Sequence, residues 1–167
     1  MKRAFATFSA DRRAALTWLG AGAAASLVAA CGSPAEAKTF RVSYSDAEWR
    51  KRLTPAQYRV LRQAGTERPF SSPLDKEKRK GTFLCAGCGN ELYSSDTKFD
   101  SGTGWPSFYR ALPGAVGTSI DRKLGYPRTE VHCADCGGHL GHVFKDGPRP
   151  TGLRFCMNGT AMRFRPA

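Results

Sequence analysis

Acidic residues are scarce in this chain. Its 167 residues include 14 Asp and Glu against 26 Lys and Arg, which gives a formal net charge of +12. A basic surface attracts anions such as nucleic acid or a negatively charged membrane face. The arginines, however, are scattered along the chain and are not interleaved with aromatic residues, as they are on nucleic-acid-binding surfaces. The charge therefore favours solubility and weak anion attraction, and we expect no nucleic-acid partner.

Strongly apolar segments and internal repeats are also lacking. The uncharged run over residues 14–30 is rich in alanine but is interrupted by Thr17, Gly20, Gly22 and Ser26, whereas a membrane-spanning helix needs about 20 mainly apolar residues. The sequence has no repeat with a period of about 20–50 residues, which argues against solenoids and propellers. Length and composition, with 41% hydrophobic and 24% charged residues, indicate one globular domain after an N-terminal leader.

The leader has the pattern of an export signal. The pair Arg12-Arg13 precedes the uncharged run, as in twin-arginine signals. Two processing sites compete, since Cys31 follows a lipoprotein-like Val-Ala-Ala and Ala37 ends a small-x-small cleavage site. We therefore predict a signal over residues 1–37 and a mature domain over residues 38–167, exported to the periplasm or cell envelope, with a lipid on Cys31 as its one possible membrane attachment. The alternative is a buried N-terminal helix with Cys31 in the core.

The mature chain begins with two helix signals. Ser45 and Glu48 form a capping-box pattern, which starts a short helix. Thr54 caps a second helix, Pro55 fits its first position, and Gly65 ends it. We expect both helices to cover the rest of the domain as a lid.

After Pro73 the pattern changes to short β-leaning stretches between glycine-rich turns. These stretches cover residues 82–84, 91–93, 130–132, 142–144, 153–157 and 161–164. The body of the domain is therefore predicted to be mainly β, with antiparallel strands.

Four of the six cysteines form two Cys-x2-Cys-Gly motifs, one at Cys85 and Cys88 and one at Cys133 and Cys136. Two such pairs supply four thiolates for a tetrahedral zinc site, which leaves no open position and is therefore expected to be structural. Two disulfides are the alternative in an oxidising compartment, although Cys-x2-Cys disulfides close small, strained loops. Because residues 89–132 separate the motifs, the metal would tie together two distant hairpins.

Cys156 has no partner once the metal motifs and the leader are set aside. A buried structural cysteine is the simpler interpretation. Against it, two of the three histidines, His139 and His142, follow the second metal motif closely. Arg154 and Asn158 share the face of Cys156 on a predicted strand. Cationic groups near a thiol favour the thiolate, which is the nucleophilic form, so we expect a reactive cysteine.

Trp105 stands in a glycine-hinged loop, Gly-Thr-Gly-Trp-Pro-Ser-Phe, at residues 102–108. Glycines allow the backbone to approach a ligand, and an indole can wall a pocket for a methyl or thioether group. The alternative is that this tryptophan simply fills the core.

Together these motifs resemble methionine sulfoxide reductase B. The motifs are Cys-x2-Cys-Gly-x-Glu-Leu-Tyr at 85–93, Ser-Gly-x-Gly-Trp-Pro-Ser-Phe at 101–108, Cys-x2-Cys-Gly-x-His-Leu-Gly-His-Val-Phe at 133–144 and Arg-Phe-Cys-x-Asn at 154–158. The resemblance implies two small antiparallel sheets, β-tent-like, with structural Zn2+ at one edge. It also implies a monomeric enzyme that reduces methionine-R-sulfoxide in oxidised proteins or peptides, here to repair oxidative damage in the cell envelope.

The resemblance further implies a role for each site residue. Cys156 attacks the sulfoxide sulfur and becomes a sulfenic acid as methionine leaves. His139 and His142 bind and protonate the sulfoxide oxygen. Arg154 and Asn158 orient the network around the nucleophile.

Substrate binding is assigned by the same resemblance to Trp105, which receives the methyl group, and to Phe155. The chain departs from many family members at Thr103, where they carry a cysteine that forms a disulfide with the nucleophile. We therefore predict a one-cysteine cycle in which a thioredoxin-like protein or another external thiol reduces Cys156 directly.

Two other functions are compatible with some of these motifs. A non-catalytic zinc module could bind a peptide or small ligand in an aromatic pocket, but Cys156 with its two histidines argues against it. A basic zinc ribbon could bind nucleic acid, but the export signal and the scattered arginines argue against that.

Overall fold

The computed structural model describes residues 39–167. The predicted export signal over residues 1–37, its boundary with the mature domain and the processing site at Cys31 all lie outside the described residues. The helices found in residues 39–167 lack the length and hydropathy of a membrane span.

The described chain opens with helix α1 over Asp46–Arg52. The Ser45 hydroxyl accepts a hydrogen bond from the Glu48 backbone N–H, and the Glu48 carboxylate accepts one from the Ser45 backbone N–H, at 3.3 and 3.0 Å. These bonds satisfy backbone donors that a helix start leaves free. The predicted capping box is confirmed.

Helix α2 covers Pro55–Gln63 and is capped by Thr54, again through a capping box. It ends one residue earlier than predicted, because Ala64 and not Gly65 takes the left-handed conformation, with a φ of 48°. Gly65 follows in close contact with Arg59, where a Cβ would lie 3.0 Å from the Arg59 carbonyl oxygen.

The body is β, as predicted. Residues 39–167 contain nine strands: β1 Gly81–Cys85, β2 Glu91–Ser94, β3 Lys98–Phe99, β4 Ser107–Phe108, β5 Val116–Asp121, β6 Arg128–Cys133, β7 His139–Phe144, β8 Arg154–Met157 and β9 Met162–Pro166. They form a three-stranded sheet ordered β2-β1-β9 and a six-stranded sheet ordered β3-β4-β8-β7-β6-β5. All strand pairs are antiparallel, which confirms the two antiparallel sheets.

Aromatic side chains join the two sheets. Tyr93 of β2 stacks on Phe108 of β4 with ring centroids 4.3 Å apart, and Phe83 of β1 meets Phe108 edge-on at 4.9 Å. The Tyr93 hydroxyl also lies 3.1 Å from the sulfur of Met157 in β8. These side chains are fully buried, so they form the core on the side of the larger sheet that faces the smaller one.

Helix α2 covers one part of the larger sheet through its buried residues Tyr58, Val60 and Leu61. Leu61 packs tightly on Gly138, just before β7, where a Cβ would lie 2.9 Å from the leucine side chain. The predicted lid is therefore confirmed for α2, which packs against β7.

Candidate active site and metal centre

Four cysteine sulfurs converge where the two sheets meet. Cys85 ends β1 of the smaller sheet and Cys133 ends β6 of the larger one. Their partners Cys88 and Cys136 follow in turns whose glycines, Gly89 and Gly137, adopt positive φ values of 81° and 67°. Each glycine N–H bonds back to the carbonyl of the first cysteine of its motif, at 2.9 Å in both. The turn that places each pair of thiols therefore needs the glycine.

The sulfurs have the spacing of a tetrahedral thiolate site. The ligand atoms lie within 4.8 Å of one another, with Cys85 and Cys136 at 3.7 Å and Cys88 and Cys133 at 3.6 Å. A tetrahedron with Zn–S bonds of about 2.3 Å has edges of about 3.8 Å, whereas a disulfide joins its sulfurs at about 2.05 Å. All four cysteines are free. The cluster fits a metal and not the alternative pair of disulfides.

A second constellation runs straight across the larger sheet. Ser119 pairs with Glu130, Glu130 with His142, His142 with Cys156, and Cys156 with Ser107. Directly opposed residues of an antiparallel sheet point to the same face. The thiol, the imidazole and the carboxylate therefore lie on one face, opposite the face that carries the aromatic core.

A cavity of about 130 Å³ opens on this face. Four predicted site residues line it, namely Cys156, His142, Trp105 and Asn158, and four others complete the wall: Thr66, Arg128, Gly141 and Phe144. The lining combines an indole, a phenyl ring and a thiol with a few polar groups, which suits a small, partly apolar group with one polar atom. Trp105 thus walls a cavity and does not fill the core.

Cys156 is half-buried in this wall. Burial raises the pKa of its thiol, while hydrogen bonds with the Thr103 and Ser107 hydroxyls and the Arg154 guanidinium lower it without outweighing burial. The expectation of a thiolate-favouring site is therefore not met in the free protein, because desolvation disfavours the charged form more than these neighbours favour it. The Thr103 hydroxyl lies 3.9 Å from the sulfur.

His142 is held from behind by a carboxylate. Its Nε2 lies 2.8 Å from Asp121 Oδ2, which also accepts a hydrogen bond of 2.6 Å from Arg128. Burial lowers the pKa of His142, and the bond to Asp121 raises it by less. The lining imidazole is thus neutral near neutral pH.

His139 is buried beside His142, with ring centroids 5.4 Å apart. It is not one of the residues that line the cavity. Its Nδ1 lies 2.6 Å from Glu130, and that hydrogen bond is the main cause that lowers the pKa of Glu130 to about 2. Its Nε2 is buried and has no hydrogen-bond partner among the described residues. The structure therefore brings both histidines to one face but only His142 to the cavity.

Asn158 is fixed by three contacts. Its backbone N–H and its Nδ2 both donate to the Leu140 carbonyl, at 2.8 and 3.0 Å, and its Oδ1 accepts from the Glu67 backbone N–H at 2.9 Å. Glu67 also accepts from the Trp105 indole through its carbonyl at 3.2 Å. Its carboxylate binds the backbone N–H groups of Gly159 and Thr160, at 2.6 and 2.7 Å. Glu67 therefore links the loop of Trp105 to the segment that follows Asn158.

Arg154 and Phe155, like His139, are predicted site residues that do not line the cavity. The Arg154 guanidinium forms a bidentate pair with Asp146, at 2.9 and 2.8 Å, and stacks over Phe144. Phe155 alternates to the other face of β8 and packs near Tyr93, with ring centroids 5.9 Å apart. The structure thus places Arg154 next to the thiol, but it places Phe155 against the core and away from the site where substrate binding was expected.

Sequence reasoning missed Asp121, Arg128, Glu130 and Glu67. The predicted β stretch covers residues 130–132, whereas the strand begins at Arg128, so the two-residue alternation reaches Arg128 only when it is continued back beyond the predicted stretch. Asp121 lies at the end of β5, which the sequence did not predict, and Glu67 lies in a loop without periodicity.

Comparisons with known proteins show the family of the chain. The SelR domain family matches residues 53–166. The chain is 55% identical over 127 residues to the peptide methionine sulfoxide reductase MsrB of Leptospira interrogans, covering 75% of this chain and 97% of that protein. It is 56% identical over 127 residues to the protein of the same name from Agrobacterium fabrum, covering 75% and 94%. It is 56% identical over 125 residues to that of Methanosarcina barkeri, covering 74% and 88%. The chain therefore belongs to the SelR-domain family, that of the MsrB peptide methionine sulfoxide reductases.

Proposed function

We propose that this chain reduces methionine-R-sulfoxide in oxidised proteins and peptides to methionine. The Cys156 sulfur is the atom that accepts the oxygen. The observation that carries the proposal is the cavity in which Cys156 and His142 face Trp105. An indole accepts the methyl and thioether part of the side chain by apolar contact. The thiol and the imidazole then meet the polar sulfur–oxygen group.

The oxygen transfer balances without another reactant. The Cys156 sulfur attacks the sulfoxide sulfur, the oxygen passes to Cys156, and the thiol proton ends on that oxygen. Methionine leaves, reduced by two electrons, and Cys156 is left as a sulfenic acid, oxidised by two electrons. His142, supported by His139 behind it, supplies general acid–base help for the proton. Arg154 and Asn158 hold the thiol and the cavity wall in place.

Regeneration requires an external thiol. The Thr103 hydroxyl lies 3.9 Å from the Cys156 sulfur, where a second cysteine would resolve the sulfenic acid, and a hydroxyl cannot do so. The other described cysteines form the metal cluster. Two external thiols, from a thioredoxin-like protein or a small dithiol, therefore reduce the sulfenic acid to thiol and water and leave as a disulfide.

The metal of the cluster is proposed to be Zn2+, held by Cys85, Cys88, Cys133 and Cys136. With four protein thiolates it supplies no chemistry to the substrate and stabilises the fold by joining β1 to β6.

The export proposal is independent of the site and is supported by the arginine pair and the uncharged run of the leader. The mass of the mature N-terminus from the native host decides between lipid on Cys31 and cleavage after Ala37.

The reaction is tested with the purified, metal-loaded protein, each epimer of a blocked methionine sulfoxide, and excess dithiothreitol. We expect methionine from the R epimer alone. Cys156→Ser should lose turnover by at least about a thousandfold while keeping its fold and metal. Turnover of neither epimer, with metal bound and Cys156 reduced, would shift the proposal to a non-catalytic ligand-binding module.

A further inference from the structure

Asp121 is built into the site by the fold around it. It is the last residue of β5, and its Oδ1 accepts a hydrogen bond of 2.8 Å from the Lys123 backbone N–H in the following turn. Gly125 closes this turn with a φ of 82° and an N–H bond to the Arg122 carbonyl. An aspartate that caps its own turn in this way has little rotational freedom. Its other oxygen, Oδ2, is thereby aimed at the neighbouring strands.

The partners of Oδ2 come from two further strands. Arg128 of β6 donates at 2.6 Å and His142 of β7 lies at 2.8 Å from the same oxygen. The side chains of Asp121, His142 and Arg128 are 12%, 10% and 19% exposed. In such a place a hydrogen-bonded charge pair is screened little by solvent. Arg128 and His142 both line the cavity, so the carboxylate supports two of its walls from outside the lining.

The protonation states fix which nitrogen of His142 is free. The Lys123 backbone N–H, His142 and Arg128 hold the pKa of Asp121 well below its ordinary value, so its carboxylate is ionised and can only accept. Burial lowers the pKa of His142, so the ring is neutral near neutral pH and carries one proton. Because Nε2 lies on the carboxylate, that proton is on Nε2, and Nδ1 keeps a lone pair.

We propose that Asp121 is a positioning residue of the reductase, which fixes His142 in the Nε2–H form and makes Nδ1 the atom that exchanges protons with thiol and substrate. This rests on the proposed function. Nδ1 takes the proton that the Cys156 thiol gives up and returns it to the sulfoxide oxygen as the oxygen passes to sulfur, so no proton is gained or lost. The imidazolium formed in between is stabilised by the Asp121 carboxylate, as in other carboxylate–histidine pairs.

The other charged groups that face His142 are already engaged. Glu130, directly opposite on β6, is bonded to His139 and to Ser119. On β8, Arg154 is paired with Asp146, at 2.8 Å. Of the carboxylates around this ring, Asp121 is therefore the one that sets its tautomer, while Arg128 and His139 oppose a positive charge on it.

The test compares Asp121→Asn with the matched Asp96→Asn in the full-length, metal-loaded protein. Asp96 is exposed and lies in a turn away from the cavity. We measure kcat and KM for a peptide containing methionine-R-sulfoxide across pH, and the tautomer of His142 by nitrogen-15 NMR in the unsubstituted protein. Asp121→Asn should lower kcat at least about tenfold, within the usual range for acid–base catalysis, and change KM less than about twofold.

The pH profile separates positioning from a merely structural role. The carboxylate raises the pKa of His142, and the reaction needs the neutral ring. Loss of the carboxylate should therefore move the acid limb of the kcat profile to lower pH, while Asp96→Asn leaves it in place. An unchanged kcat, an unmoved acid limb, or a proton found on Nδ1 in the unsubstituted protein would each overturn the proposal. If the unsubstituted protein reduces no sulfoxide, the proposed function fails, and the NMR spectrum still decides the tautomer.

Discussion

Cys156 on β8 and His142 on β7 are direct cross-strand partners, so the thiol and the imidazole share one face of the larger sheet and one cavity. The partnership depends on Gly141, because a Cβ there would lie 2.1 Å from the Cys156 carbonyl oxygen. The glycine between His139 and His142 thus allows β7 to approach β8. The segment that follows the second Cys-x2-Cys motif therefore also brings His142 next to the Cys156 thiol.

Thr103→Cys should restore a resolving thiol. The Thr103 hydroxyl lies 3.9 Å from the Cys156 sulfur, so a thiol at this position needs only a small shift to attack a sulfenic acid on Cys156. After one turnover without reductant, mass mapping should find a disulfide between the two residues. Thr118→Cys, on an exposed position of β5, is the control and should give none. A free sulfenic acid in Thr103→Cys would contradict the placement of these two side chains.

The reactivity of Cys156 should rise with pH into the alkaline range. Burial raises the pKa of this thiol above its ordinary value of 9.0, so the thiolate fraction, and with it the rate of alkylation by iodoacetamide, increases as pH rises through and beyond that value. Arg154→Gln removes a charge that lowers this pKa and should slow alkylation at pH 8. Arg165→Gln, an exposed arginine of the smaller sheet, should not. A rate that is already at its maximum near neutral pH would contradict the desolvated thiol.

Loss of the metal should destabilise the domain as a whole. The cluster closes a long loop between β1 and β6, and a crosslink of this kind stabilises by about 4 kcal/mol in the chain-entropy estimate. Cys133→Ser should lose the metal, measured by elemental analysis, and should unfold at a lower temperature. Cys156→Ser keeps four thiolates and should retain both metal and stability. Equal stability of Cys133→Ser and the unsubstituted protein would contradict a structural metal.

Glu67→Gln should loosen the cavity wall. The Glu67 carboxylate accepts hydrogen bonds from the backbone N–H groups of Gly159 and Thr160. In the glutamine variant an NH2 group replaces one of the two oxygens, so one of these N–H groups faces another donor and loses its acceptor. Hydrogen bonds of this type to a charged group contribute about 1.5–3 kcal/mol, so thermal stability should fall and KM should rise. Glu91→Gln, from the exposed pair with Arg165, is the control. If the two variants behave alike, Glu67 does not hold the wall.

The sequence predicts the metal centre and the strand of Cys156 because both depend on local patterns. The paired Cys-x2-Cys-Gly motifs need only their own turns, and two-residue alternation places Cys156 and Asn158 on one face. Strand β5 was not predicted, because Gly117 interrupts its pattern of β-favouring residues. That glycine serves packing, since a Cβ there would lie 2.5 Å from the His132 ring. Asp121 at the end of β5 is therefore recognisable only when three strands are assembled.

Phe155 and Glu67 differ from the sequence-based expectation for different reasons. Phe155 was expected to contact substrate, but in the alternation of β8 it faces the aromatic side of the sheet, near Tyr93. Glu67 lies in a loop and acquires its contacts with Gly159 and Thr160 from a segment more than 90 residues later in the chain. The two-residue alternation of β8 already places Phe155 on the face opposite Cys156, and its substrate role was implied only by the family resemblance. Glu67 carries no local signal, because its partners are distant in sequence.

The most direct test of the account is a single turnover without reductant. The reduced, metal-loaded protein is mixed with an excess of a peptide containing methionine-R-sulfoxide, and both the methionine formed and the mass of each cysteine-containing fragment are measured. The account predicts one methionine per protein chain, and one added oxygen, trapped as a sulfenic acid adduct, on Cys156 alone. Methionine formed without oxidation of Cys156, or oxidation of a metal-cluster cysteine in its place, would contradict it.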